Sequence, residues 1–171
     1  ILLLYPLRKI NTGIDLMDGG YSLGNYRFFT TMNQVWKLAT YLANVLGVAL
    51  TRLPFGDTWI GMNVYTALLI GITAAGTYCT LRKRLQHPVF IWLGEMLALS
   101  ICWAPSTNLY QYLGYYLMTA AVLVLYHALI NKNNMCYIIA GIILGLAVGV
   151  RMPNVTYAAL ILPVWYYAWL T

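Results

Sequence analysis

Asp15 and Asp18 lie three residues apart in a glycine-rich segment, Gly13-Ile-Asp-Leu-Met-Asp-Gly-Gly-Tyr-Ser-Leu-Gly-Asn25. On a helical turn they share a face, and in a loop they can still converge. A carboxylate in such a place can deprotonate an acceptor hydroxyl as a general base, or hold a divalent cation through oxygen. Asp-Gly-Gly is also strong turn chemistry, so an Asx-type turn stands beside both readings. Arg151 sits where one apolar run ends and another begins, in Gly149-Val-Arg-Met-Pro-Asn154, and Pro153 breaks the helix there. Its forked donors suit a phosphate; snorkelling to lipid headgroups is the plainer use of a boundary arginine. Lys37 and Arg27 could border the same anionic site or meet lipid headgroups. Glu95 is the only acidic residue inside an apolar run, and His127 lies near the far end of a later run. Together they could make a proton path, and they read more simply as structural residues.

The elements that must position these groups follow from composition. The chain has 171 residues, 61% of them hydrophobic and only 8% charged. A soluble domain is nearer 45–50% apolar and about 25% charged. Disorder is excluded on the same grounds. Cys79, Cys102 and Cys136 all fall inside apolar runs, which excludes a disulfide scaffold. The expectation is an all-α, polytopic transmembrane helical bundle forming a single domain over 1–171. The net charge of +6 is not a nucleic-acid footprint, because Arg82-Lys83-Arg84 cluster between two apolar runs as a cytoplasmic loop would. The chain opens Ile-Leu-Leu-Leu-Tyr and closes Trp-Tyr-Tyr-Ala-Trp-Leu-Thr, so it reads as a fragment whose first helix is truncated.

Residues 8–57 read as an outer loop. Within it Asn33, Lys37, Thr40, Asn44, Gly47 and Thr51 recur at steps of four and three, opposite Val35, Leu38, Leu42, Val45, Leu46 and Ala49. That pattern predicts an interfacial amphipathic helix over 34–51; the alternative is a spanning helix with its polar stripe turned to its neighbours. Spans are expected at about 58–80, 88–104, 109–130, 135–150 and 155–170. With Arg82-Lys83-Arg84 inside, alternation puts Asn131–Asn134 inside too. Pro105–Asn108, Arg151–Asn154 and the acidic loop then fall outside. Trp103, Tyr110, Tyr112, Tyr115 and Tyr116 form an aromatic belt at that outer boundary. Gly141, Gly145 and Gly149 make a small-residue stripe suited to close helix packing.

Asp18-Gly-Gly-Tyr-Ser-Leu-Gly-Asn-Tyr-Arg-Phe-Phe-Thr-Thr-Met32 resembles the Asp-Glu-x-x-Tyr segment of GT-C class integral-membrane glycosyltransferases, especially the protein-mannosyltransferase and aminoarabinose-transferase-like branch. Gly19 stands where that family has Glu. Ala140-Gly-Ile-Ile-Leu-Gly-Leu-Ala-Val-Gly-Val-Arg-Met-Pro-Asn-Val155 is similar to the family's Gly-Leu-x-x-x-x-Lys/Arg-x-Pro segment. The resemblance covers most of the chain and implies the N-terminal part of such an enzyme. It implies transfer of a sugar from a polyprenyl-phosphate donor to an acceptor on the outer face of a bacterial cytoplasmic membrane. Asp18 would be the base, with Asp15 as a second carboxylate and a divalent metal as an optional cofactor at the pair. Arg151 would meet the donor phosphate, with Lys37 and Arg27 as further candidates. Membrane lipids and the lipid-linked donor are the implied partners, and nucleic acid is not. Two rivals from other classes remain: a transporter or channel module built on Glu95 and His127, and a purely structural membrane subunit.

Overall fold

The computed structural model describes residues 1–11, 16–101 and 109–170. Every regular element among them is helical. A 3₁₀ turn, Tyr5–Lys9, is followed by α1 (Asp18–Arg27), α2 (Gln34–Ala39) and α3 (Tyr41–Thr51). Then come α4 (Trp59–Leu81), α5 (Pro88–Ile101), α6 (Leu109–Asn131) and α7 (Asn134–Val150). A 3₁₀ stretch, Met152–Leu160, leads into α8 (Ile161–Leu170). Two of these helices, α4 and α6, are long and apolar enough to cross a membrane; α3, α5 and α7 are shorter apolar helices.

Side-chain caps set several boundaries. The Thr58 hydroxyl accepts from the Gly61 amide at 3.1 Å and opens α4. Asn33 and Asn133 accept from Val35 and Met135, each at 3.0 Å, and open α2 and α7. Between α6 and α7, Lys132 takes a left-handed backbone with φ 50°, and the Asn133 amide reaches back to the Ala128 carbonyl at 3.2 Å. This is a C-terminal cap of the Schellman kind, and it folds α7 straight back onto α6.

The helices α4 and α6 run side by side in the same direction. Met62 and Leu109, near their starts, share one apolar cluster with Tyr26. Further along, Ile70 and Ala74 pack with Tyr112, Leu99 of α5 and Leu2. The start of the chain therefore lies against the middle of α4. A Cβ at Gly71 would collide with the Leu3 carbonyl, so the close approach requires glycine. From there the chain climbs alongside α4 until the Ile10 carbonyl accepts from Asn63 Nδ2 at 2.9 Å. Lys9 Nζ donates to the Ser100 carbonyl at 2.7 Å and ties the same segment to α5.

Four sequence expectations are revised by this arrangement. The truncated first helix is a turn and a 3₁₀ segment, with Pro6 in its first turn. The single helix over 34–51 is broken at Thr40 (φ −138°, ψ 43°) into α2 and α3. Its facial pattern persists in α3: Thr40, Asn44 and Gly47 are buried while Val45, Leu46 and Ala49 are exposed, so the polar stripe faces protein. The last run, 155–170, begins as 3₁₀ because Pro153 and the extended Arg151 interrupt α7. The loop expected at 8–57 is also largely structured. Its α1 has poor intrinsic propensity, with three glycines in Asp-Gly-Gly-Tyr-Ser-Leu-Gly-Asn-Tyr-Arg, and is held by packing. Gly47 of α3 is the reason it can pack, because a Cβ there would strike the Tyr26 ring.

Candidate functional site

Asp18 opens α1, exposed and in the first turn, where the helix dipole favours a carboxylate. Arg151 lies at the far end of the sequence, on an extended backbone (φ −157°, ψ 123°) just past α7. Tyr110 stands between them. Its hydroxyl neighbours the Asp18 carboxylate. Its ring lies under the Arg151 guanidinium, with Cζ 5.4 Å from the centroid. The ring is fixed because it packs with Ala43 of α3 and Val150 of α7, both fully buried. Three elements, the start of α1, the start of α6 and the end of α7, thus bring an acid, a phenol and a cation to one end of the bundle.

That end also holds a layer of buried polar side chains. Tyr26 Oη accepts from the Leu109 amide at 3.3 Å and is hydrogen-bonded to Ser22. Burial pushes the Tyr26 phenol well above its ordinary value, so it stays neutral. Asn154 Nδ2 donates to the Ala147 carbonyl at 2.8 Å and packs against Gly114. Asn25, 1% exposed, lies two turns from Asp18 on the same face of α1, with both amide atoms buried and unpaired. Thr40 Oγ1 and Asn63 Oδ1 are buried too and, like the Asn25 amide, have no partner among the described residues.

The other candidate residues fall elsewhere. Asp15 lies outside the described residues. Arg27 is at the opposite end of α1 from Asp18, about 13 Å along the axis. Its Nη2 donates to the Asp57 carbonyl at 2.7 Å, at the edge of an apolar cavity of about 940 Å³ walled by Phe28, Phe55, Trp59 and Val64. Lys37 Nζ donates to the Thr30 carbonyl at 3.1 Å and lies over the Phe29 ring. Lys37 therefore braces the turn after α1 and Arg27 ties α1 to the turn before α4, while Arg151 is the cation that shares Tyr110 with Asp18. Glu95 lines a cavity between α4, α5 and α6 that His127 does not line. His127 is exposed and lies 3.0 Å from the Asn131 amide nitrogen, one turn on in α6.

Tyr110 does not stand out in the sequence, where it is one of several aromatics at the outer boundary. The signal available was its distance from the run's interior: it is the second residue of α6, where a phenol reaches the polar end. The glycine stripe also divides. A Cβ at Gly149 would press on Leu42, as close packing demands, but Gly141 and Gly145 face open space. Those two floor an apolar groove of about 520 Å³ between α7 and the 152–164 segment, and Asn154 closes its polar end.

No protein-family model, curated protein or solved structure matches the chain.

Proposed function

We propose that this protein is a membrane glycosyltransferase of the GT-C kind, moving a sugar from a polyprenyl-phosphate donor to an acceptor hydroxyl at the membrane face that carries Asp18 and Arg151. The observation that carries the reading is the meeting of Asp18 and Arg151 on the two sides of Tyr110. A base and a phosphate-holding cation at one aqueous boundary are the two groups such a displacement needs. Asp18 takes the proton of the acceptor hydroxyl as its oxygen attacks the anomeric carbon. The bond from that carbon to the phosphate oxygen breaks, and Arg151 stabilises the charge gathering on the leaving phosphate. Tyr110 positions Asp18 through its hydroxyl and Arg151 through its ring. The groove floored by Gly141 and Gly145 offers the prenyl chain an apolar bed that ends three residues past Arg151.

The test is transfer of radiolabelled sugar from polyprenyl-phosphate donors in membranes carrying the protein. Asp18→Asn and Arg151→Ala should each abolish transfer while expression and melting midpoint stay at wild-type values. Transfer undiminished in both variants would overturn the reading. Sidedness is checked separately, in a background without native cysteines. Met17→Cys, at an exposed position beside Asp18, should label from outside the cell, and Lys83→Cys only after permeabilisation.

A further inference from the structure

Arg27 and Asp57 have no place in the transfer chemistry, yet both line the apolar cavity of about 940 Å³ at the start of α4. The bond from Arg27 Nη2 to the Asp57 carbonyl, 2.7 Å long, brings the two residues together. Both are exposed, whereas Leu23 and Val64, which line the same cavity, are half-buried. The other polar side chains of the lining belong to Thr58, Trp59 and Tyr65. Thr58 Oγ1 donates to the Phe55 carbonyl at 2.6 Å and accepts from the Gly61 amide at 3.1 Å. Tyr65 Oη donates to the Pro54 carbonyl at 2.8 Å. Both hydroxyl protons are thereby spent on the loop before α4. Among the described residues nothing bonds to the Asp57 carboxylate, the Trp59 indole N–H or the remaining guanidinium N–H groups. The cavity thus offers a ligand one cation with free donors, one neutral donor and one carboxylate that only accepts.

The loop that carries these groups is held in one strained shape. Phe55 takes a left-handed backbone with φ 60°, unfavourable for a bulky residue, and its side chain is left 77% exposed. A Cβ at Gly56 would strike the Leu50 carbonyl, and one at Gly61 the Phe55 carbonyl, so the loop is packed closely against α3 and α4. Phe28, Phe55 and Trp59 give the cavity aromatic walls. Trp59 is also the first residue of α4, which is long and apolar enough to cross a membrane. We propose that this cavity binds a bilayer phospholipid whose headgroup joins a phosphate to a primary amine, of the phosphatidylethanolamine kind. Arg27 holds the phosphate through its forked donors, and the Asp57 carboxylate accepts from the ammonium. The Trp59 indole N–H meets a glycerol ester carbonyl, at the depth where interfacial tryptophans sit. An acyl chain lies on Leu23 and Val64, the latter about 7 Å further along α4. The charge pattern makes the site selective. A phosphate alone leaves Asp57 facing a second anion, and a quaternary amine has no N–H to give it. This inference is independent of the transferase reading, because Arg27 lies about 13 Å along α1 from Asp18 and the cavity is not lined by Tyr110 or Arg151.

The experiment is thermal unfolding of the delipidated, detergent-purified protein at fixed pH and ionic strength. Mixed micelles carry phosphatidylethanolamine, phosphatidylglycerol or phosphatidylcholine with the same acyl chains, or polyprenyl phosphate. Glycerophosphoethanolamine serves as the headgroup without chains. Phosphatidylethanolamine should raise the midpoint by about 3 °C or more over detergent alone, and each other lipid by clearly less. Glycerophosphoethanolamine should leave it unchanged at the same concentration, since the chain supplies the apolar contact. Asp57→Asn should weaken phosphatidylethanolamine binding about tenfold and level it with phosphatidylglycerol. Val64→Trp, which fills the cavity and keeps both charges, should erase the lipid effect. The wild-type comparison needs no variant, so a variant that fails to fold leaves the test intact. Equal midpoints in all four lipids would overturn the inference, as would a larger effect of phosphatidylglycerol or polyprenyl phosphate, or a full effect of the chainless headgroup. So would a phosphatidylethanolamine effect of full size in both Asp57→Asn and Val64→Trp.

Discussion

The two ends of the helical bundle are built on different principles. At one end Arg82, Lys83, Arg84, His87 and Lys132 stand exposed, and the connections are short turns. Charge is abundant there and fixed by little. At the other end Asp18 and Arg151 are joined through Tyr110, above a layer of buried Ser22, Asn25, Asn44, Asn63 and Asn154. Charge of both signs lies there, Lys9 and Arg27 among it bonded to backbone carbonyls, and several helices hold it in place. The difference teaches that charge density is a poor guide to chemistry in such a chain. The basic end suits a topological address, which needs only net charge near a headgroup surface. The polar end suits catalysis, which needs geometry held by packed side chains.

Substitutions at the two ends should separate these principles. The largest effect expected is on activity: Asp18→Asn should lower sugar transfer by about a hundredfold or more, with the melting midpoint unchanged. Tyr110→Phe keeps the ring under Arg151 and removes the hydroxyl from Asp18, so about a tenfold loss in transfer rate is expected, with donor KM little altered. Replacing Arg82, Lys83 and Arg84 together by Gln should leave the turnover of correctly inserted protein intact and alter only the fraction that inserts in the right orientation, read by cysteine labelling. If the triple variant lost turnover in inserted protein, the contrast between the ends would fail.

Stability effects come next. Gly47→Leu forces α1 off α3 at Tyr26 and should cost about 3 kcal/mol, measured by denaturant unfolding. Asn25→Leu should act in the opposite sense. It removes two buried, unpaired polar atoms at nearly constant volume and should stabilise by about 1–2 kcal/mol. If instead it destabilises, that amide has a partner, and the polar layer is better satisfied than its protein contacts alone provide. Burial raises the Tyr26 phenol, so the folded protein holds that proton more tightly than the unfolded chain, whose tyrosine titrates near 10. The contribution is complete below pH 10 and lost above it, so the midpoint should fall from about pH 10 upward, and Tyr26→Phe should flatten that fall. Smallest of all, Lys132→Gly relieves the left-handed backbone of the α6–α7 turn and should gain less than about 1 kcal/mol.

Much was legible without coordinates because the apolar runs are long and the polar residues few. Hydrophobic clustering and caps mark helices wherever they occur, so α4, α6 and α7 lie within a residue or so of their apolar runs. Asp18 and Arg151 stood out as isolated charges at run boundaries. The break of 34–51 at Thr40 was hidden, because facial periodicity continues across the two helices and carries no mark of a kink. Helical α1 was hidden too, since its sequence opposes a helix and only burial of Tyr26, Ser22 and Asn25 sustains it.

The sequence by itself determined an all-helical protein with its charge confined to a few boundary positions, since hydrophobic period and composition are local properties of the chain. Only the tertiary structure decided which of those charges meet. It set Arg151, not Arg27 or Lys37, at the Tyr110 ring that neighbours Asp18, and placed Glu95 in a cleft with threonines rather than with His127. Those pairings depend on how the starts of α1 and α6 and the end of α7 stack in space. That stacking follows from close contacts such as Gly47 on Tyr26 and Gly149 on Leu42, which form only when distant segments pack.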